Sequence, residues 1–272
     1  MQPLNAEEIE QRAQEIFARS RQPRRRARLR VAAPFRQSSK EMILTQAGEI
    51  AVWRAGDGPA VMLVHGWEDD HTLWSPLVEK LLGAGFSVIA FDLPGHGHSS
   101  GGGIGVVPAK LALHGVARHC GPIFAIAGHS LGASATLSAL SEGVRADKAV
   151  IIAPPTPSAP QNRSTRRKAE LAERAPELDD PVAKRVAELT RATGAGNPFY
   201  NDPIQQAAHL TQSALFIHCA DDHIYAPSAS HAIAAAWRGK TDVYVTSGFG
   251  HRQVARDSGV INRIVDFLKE EE

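Results

Sequence analysis

The pentapeptide Gly128-His129-Ser130-Leu131-Gly132 constrains this chain more than any other stretch. An apolar run, Ile123 to Ala127, leads into it, and a small-residue stretch of helical character, Ala133 to Leu140, follows it. In that setting G-x-S-x-G marks a sharp turn from a buried strand into a helix. The serine stands at the apex, its side chain exposed and its backbone near the left-handed region. Glycines on either side remove Cβ atoms that would collide with the neighbouring strand and helix. The helix that follows aims its first N–H groups toward the serine, which favours negative charge developing there. Ser130 is therefore a candidate nucleophile, the alternative being an ordinary Gly/Ser turn.

Segments that read as strands and helices alternate around this turn. Met42 to Gln46 and Glu49 to Arg54 are short strands separated by Ala47-Gly48, a hairpin signal. Ala60 to His65 is an apolar run without alternation, as expected of a parallel strand covered on both faces. Ser87 to Phe91, Lys148 to Ala153, Ala214 to Cys219 and Thr241 to Thr246 complete the strands. Helices are expected over Leu73 to Ala84, with Ser75-Pro76 as cap and first-turn proline, and over Leu111 to Cys120, Pro227 to Trp237 and Val254 to Lys269. This alternation implies an α/β fold with a mostly parallel, doubly wound sheet, in which ligand sites form outside the carboxyl ends of the strands. Ser130, Asp222 and His251 each follow a predicted strand directly, so one topology brings all three to one edge.

The 272 residues suffice for one large domain with a well-buried core. Asn5 is placed to cap a helix running toward Phe17, and Arg19 to Arg30 then carries seven arginines and a proline. With no aromatic interleaved, that run reads as a solvated linker rather than a nucleic-acid arm. From Thr156 to about Gln212 prolines, arginines and acids alternate, with helical patterns near Arg166 to Arg174 and Pro181 to Thr193. The expected organisation is an N-terminal helix and basic linker over 1–40, a core made of 41–155 and 213–272, and a helical insertion over 156–212.

A formal net charge of +1 gives no global electrostatic argument for nucleic-acid or membrane partners. No apolar run approaches the roughly 18 residues of a membrane span, and the N-terminus lacks the apolar core of a secretory signal; the expected location is cytoplasmic. Cys120 and Cys219 lie far apart in apolar surroundings and read as buried small hydrophobes in a reducing compartment. The 12 histidines include no H-E-x-x-H or paired His/Cys spacing, and Gly101 to Gly103 follow a loop rather than a strand. Neither a metal nor a dinucleotide cofactor is expected.

Five motifs, His65-Gly66-Trp67, Asp92-Leu93-Pro94-Gly95-His96-Gly97-His98-Ser99, Gly128-His129-Ser130-Leu131-Gly132, the Asp221-Asp222 loop and Gly250-His251, stand in an order and spacing that closely resembles the α/β-hydrolase family. The resemblance covers roughly Met42 to Leu268. It implies a sheet of the α/β-hydrolase type with a short helical lid, and a serine hydrolase with the triad order Ser…Asp…His.

The chemistry follows residue by residue. A serine hydroxyl is a poor nucleophile until a base removes its proton, and His251, after the Gly248-Phe249-Gly250 turn, is the candidate base; the alternative is a surface-loop histidine. The imidazole needs a carboxylate to fix its tautomer and stabilise the imidazolium. Asp221 and Asp222 both follow the strand ending at Cys219; the family's register selects Asp222, and Asp221 remains the alternative. Whichever aspartate is not the acid is a loop-forming Asx residue. Two backbone N–H groups should hold the oxyanion. One is that of Leu131, just after the nucleophile; by the resemblance the other is that of Trp67, whose indole can line the acyl pocket. In this motif His65 holds its loop, His129 points elsewhere in the turn, and His96 and His98 belong to a structural turn.

A serine at the apex, instead of the aspartate used by dehalogenases and epoxide hydrolases of this fold, points to acyl transfer to water. The expected activity is hydrolysis of a small to medium carboxylic ester through an acyl-serine intermediate. A thioester, amide or C–C bond would use the same triad, and a non-catalytic small-ligand receptor on the same fold is the other alternative. Arg163, Arg166, Arg167 and Lys168 could hold an anionic substrate group, or form a solvated helix face offset by Glu170, Glu173 and Glu177. An aromatic content of 6%, with Phe199-Tyr200 the one aromatic pair in 156–212, argues against a long apolar tunnel.

Overall fold

The computed structural model describes residues 4–20, 22–23, 35, 38–101, 105–156, 180–192 and 202–271. Eight strands form one sheet: β1 (Ser39–Thr45), β2 (Gly48–Ala55), β3 (Ala60–Val64), β4 (Ser87–Phe91), β5 (Ala125–His129), β6 (Lys148–Ile152), β7 (Ser213–Cys219) and β8 (Thr241–Thr246). Their order is β1-β2-β4-β3-β5-β6-β7-β8. β1 and β2 form an antiparallel hairpin, β2 runs antiparallel to β4, and every later pairing is parallel. The hairpin turns at Gln46-Ala47, and Gly48, with φ +109°, already pairs with Thr45.

Neighbouring residues of the buried strands go to opposite faces, as the pleat requires. Met62 and Val64 join one core, with Leu113 and Val116 of α3 (Val106–Cys120), Ala135 and Leu137 of α4 (Leu131–Ser141) and Ile233 of α7 (Ser228–Ala236). Val61 and Leu63 join the other, with Leu77 and Leu81 of α2 (Ser75–Gly83) and Ile261, Ile264 and Leu268 of α9 (Ser258–Lys269). Lys148 is buried at the start of β6, and its ammonium donates to the carbonyls of Phe267, at 3.0 Å, and Glu270. That charge-assisted cap suits the negative end of α9.

Three helix boundaries differ from the sequence expectation. α3 begins five residues earlier, at Val106, after Gly105 with φ 101°; Pro108 is tolerated in the first turn, where no amide donor is needed. Asp70 accepts from Thr72 N and caps a 3₁₀ turn, His71–Trp74, ahead of α2, so Ser75 lies inside the helix and donates to Thr72 O. The last helix is split: Asp257 accepts from Val260 N at 2.9 Å and starts α9, detaching the turn Val254–Arg256. In each case a side-chain cap or a glycine overrides the apolar period.

At the N-terminus Asn5 and Glu8 form a reciprocal capping box, Glu8 N to Asn5 Oδ1 at 3.0 Å and Asn5 N to Glu8 Oε2 at 2.9 Å, opening α1 (Ala6–Ser20). α1 packs against α5 (Pro181–Ala192), which lies between β6 and β7 in the sequence. Arg185 of α5 donates to Glu10 of α1 through Nε, at 2.5 Å, and Nη2, at 3.3 Å. Farther along, Pro23 lies 3.7 Å from where a Cβ on Gly95 would stand, and Phe35 meets His71 edge-on with ring centroids 5.0 Å apart. Pro23 and Phe35 therefore each lie against a loop at the carboxyl edge of the sheet. α6 (Pro203–Ala207) packs on α4 and α7, and Ala207 and Leu210 join the core.

Candidate active site

Register brings the reactive side chains together. Val64 pairs with Gly128, His129 with Ile152, Ile152 with Ile217, and Cys219 with Thr246. The loops leaving β3, β5, β7 and β8 therefore emerge at one edge. Ser130 sits between β5 and α4 at φ 52°, ψ −116°, a conformation costly for a residue with a Cβ. Surrounding structure imposes it: Ser130 N donates to Ile152 O at 2.9 Å, and Ser134 N donates to Ser130 O at 3.1 Å. Both flanking glycines are obligatory. A Cβ on Gly128 would stand 2.5 Å from Gly132 O, and one on Gly132 would stand 2.1 Å from Val64 O. The sharp turn thus depends on α4 lying directly over β3.

His251 occupies α8 (Gly250–Gln253), a single helical turn after β8. Its Nε2 lies 2.8 Å from Ser130 Oγ, and its Nδ1 lies 2.7 Å from Asp222 Oδ2. Between the two aspartates the geometry is unequal. Asp222 has a fully buried side chain and receives four donors: Ile224 N (2.7 Å) and Tyr225 N (3.0 Å) at Oδ1, and His251 Nδ1 (2.7 Å) and His218 Nε2 (3.3 Å) at Oδ2. Asp221 instead accepts from Gly248 N, tying its loop to the turn before His251. Burial alone would push the Asp222 carboxyl up, but the hydrogen bonds from His218 and His251 and the charge of His251 hold it far below the usual carboxylate range. An ionised Asp222 fixes the proton of His251 on Nδ1 and leaves Nε2 to accept from the serine hydroxyl.

His218 is a residue that sequence reasoning missed. It lies fully buried in β7, takes the Ser230 hydroxyl at Nδ1 (2.8 Å) and donates from Nε2 to Tyr225 O (3.1 Å) as well as to Asp222. The available signal was a polar residue inside an apolar strand, four positions before Asp222. His129 was also set aside. It points to the His251 segment, where its Nε2 donates to the backbone carbonyl of His251 at 2.8 Å.

The loop after β3 lies against the same turn. A Cβ on Gly66 would stand 3.1 Å from Ser130 Cβ, so only glycine lets Trp67 follow at this spacing. Leu131 is the first residue of α4, and its N–H has no acceptor within the helix. His65 holds the loop, with Nδ1 donating to Gly66 O at 2.7 Å and Nε2 accepting from Leu93 N at 2.9 Å. His96 Nε2 accepts from Glu68 N at 3.1 Å, and the Trp67 indole meets the His96 ring edge-on, centroids 5.1 Å apart.

A sequence profile of the alpha/beta hydrolase family matches residues 61–263. The chain belongs to that family. Among solved structures of alpha/beta hydrolases, carboxylesterase CesB from Bacillus subtilis superposes with a TM-score of 0.69 at 18% identity, covering 97% of this chain and 100% of that one. An esterase from Exiguobacterium antarcticum gives 0.67 at 16% identity, covering 85% and 100%. At such identities the likeness is one of fold. Sequence relatives match only in part. A pimeloyl-[acyl-carrier protein] methyl ester esterase from Methylococcus capsulatus is 49% identical over 45 residues, 16% of this chain and 17% of that protein. A probable oxidoreductase, EphD, from Mycobacterium tuberculosis is 34% identical over 98 residues, 35% of this chain and 15% of that protein.

Arg163, Arg166, Arg167 and Lys168, read as either an anion-holding cluster or a solvated helix face, and the Phe199-Tyr200 pair lie outside the described residues, as do the arginines from 24 to 30. Among the described residues no helix is long and apolar enough to cross a membrane.

Proposed function

We propose that this alpha/beta hydrolase cleaves small to medium carboxylic esters through an acyl-serine intermediate. The observation that carries the reading is the 2.8 Å approach of His251 Nε2 to Ser130 Oγ, with Asp222 2.7 Å behind the ring. His251 takes the hydroxyl proton as Ser130 Oγ attacks the acyl carbon, and Asp222 stabilises the resulting imidazolium. In this reading the backbone N–H groups of Leu131 and Trp67 receive the negative oxygen of the tetrahedral intermediate. His251 then gives its proton to the departing alcohol. In the second half it activates a water that attacks the acyl-serine, and the proton returns to Ser130. The fold likeness to two esterases supports an ester as first choice of substrate. In this reading residues 156–212 are the lid over the site.

Turnover of p-nitrophenyl esters of increasing acyl length, alongside matching thioesters and amides, tests the reading. Activity is expected to be highest on short and medium esters and abolished in Ser130→Ala. A fluorophosphonate probe is expected to label wild type and not Ser130→Ala. Absence of labelling would favour a non-catalytic receptor; a preference for thioester or amide would keep the triad and change the substrate class.

A further inference from the structure

The segment carrying His251 is held by two arginines for which the triad has no use. Arg252 Nε donates to Asp69 Oδ1 at 2.5 Å, and its Nη2 reaches the same oxygen. Four residues on, Arg256 Nη1 donates to the carbonyls of Thr72 (3.0 Å) and Leu73 (2.8 Å). All three partners belong to the loop that leaves β3 through Gly66 and Trp67, and Asp69 N closes a turn on Gly66 O at 3.3 Å. The Asp69 side chain is 4% exposed and that of Arg252 26%. The carboxylate is buried and the guanidinium partly so, and removing Arg252 leaves Asp69 an uncompensated buried charge.

We infer that Asp69 and Arg252 are positioning residues for the base, stapling the His251 segment to the Trp67 loop. The inference rests on the triad reading. Other polar groups face the ring: Asp222 at Nδ1, Ser130 at Nε2, the His129 ring at 5.0 Å and the Tyr225 ring at 5.6 Å. His218 lies behind Asp222, Asp221 holds the preceding turn, and Arg256 lies one helical turn on. Burial keeps His129 neutral, and Asp222 is the charged group in contact with the ring.

Each neutral variant breaks the same tie: Asp69→Asn leaves Arg252 without its acceptor, and Arg252→Gln leaves a buried carboxylate without its donor. Both therefore loosen the His251 segment in the same direction, and the loss falls on kcat rather than on KM.

The test is a double-mutant cycle on p-nitrophenyl acetate turnover by the full-length protein. Asp69→Asn and Arg252→Gln are each expected to lower kcat about tenfold with KM retained, and Asp69→Asn/Arg252→Gln to lose no more than either single variant, because all three break one tie. Arg252→Lys keeps the charge, guards against a neutral variant that fails to fold, and is expected to recover part of the loss. Losses below about twofold, losses that multiply in the double variant, or a rise in KM with kcat unchanged overturn the inference. If Ser130→Ala retains turnover, the triad reading falls; if the pair variants keep wild-type kcat while Ser130→Ala is inactive, only the inference about the pair falls.

Discussion

His129 donates from Nε2 to the backbone carbonyl of His251 at 2.8 Å, so the residue before Ser130 holds the segment that bears the His251 imidazole. Its Nδ1 is buried without a partner and faces Gly66, where a Cβ would stand 2.9 Å away. Burial, then the charge of His251, pushes His129 down to about 4, which keeps it a neutral donor at working pH. One imidazole thereby sets the distance between two loops 122 residues apart in the chain.

His129→Ala removes that donor and lets the His251 segment relax. A displacement of the order of 1 Å at a reacting group lowers turnover by as much as about 10²-fold, so a fall in kcat of about 10- to 100-fold is expected, with KM little changed. Steady-state kinetics on p-nitrophenyl acetate measure it. A loss of less than about twofold would show that the base is positioned without this tie.

Asp221 and Asp222 are separable by their partners. Asp222→Asn is expected to lower kcat by about 10⁴-fold, because an amide facing Nδ1 no longer enforces the productive tautomer. Asp221→Asn weakens the acceptor for Gly248 N and the Cys219 thiol and touches neither His251 nor Ser130, so kcat should fall by less than about tenfold. Parallel kinetics of the two variants decide, and equal losses would count against Asp222 as the acid.

What could be read in the sequence was what is encoded locally. Ser130 announces itself because the turn needs glycine at 128 and 132, and a Cβ at either would strike backbone. The parallel strands announce themselves as uninterrupted apolar runs. The Asp69–Arg252 pair does not, because its meaning lies in residues brought close only by the fold, Arg252 being 183 positions from Asp69; His218 left a local signal, a polar residue in an apolar strand, but its bonds to Asp222, Tyr225 and Ser230 depend on how the loop after β7 folds back. The early start of α3 and the break before α9 were hidden for a different reason: a glycine at 105 and an aspartate cap at 257 each outweigh a hydrophobic period that runs past them.

Buried histidines should make stability fall well before the carboxylates titrate. Burial, followed by the charge of His65, pushes His96 down to about 4, and His129 lies at about 4 as well. Both folded values lie below the unfolded value of roughly 6.5, so their contribution is complete above that pH and is lost as pH falls toward 4. Each is of order 3 kcal/mol at the acid end. Asp92 adds a second stage: burial would raise its carboxyl, but the hydrogen bond from His71 and the charge of His71 hold it low. Its share persists above about pH 4 and is lost below. Melting temperature measured from pH 8 to 3 should therefore decline in two steps. His96→Gln should melt lower at pH 8 and show a shallower first step; an unchanged slope would exclude His96 as a contributor.

The last prediction concerns the pairing of α1 with α5. Glu10 and Arg185 are each 38% exposed, so their ion pair is screened by water and Glu10→Gln should change little. Apolar packing carries the contact, with Ala13, Val182 and Ala187 buried. Ala13→Glu would place a charge where no donor awaits it and separate the helices. Limited proteolysis should then cut within 181–192 several-fold faster than in wild type or Glu10→Gln. The melting transition of the sheet core should stay within about 2 °C, because α1 contributes little to either face of the sheet. Were α1 only an appendage, Ala13→Glu would leave the cleavage rate unchanged; because α5 belongs to the stretch we propose as the lid, faster cleavage should come with an altered KM for the longer acyl esters.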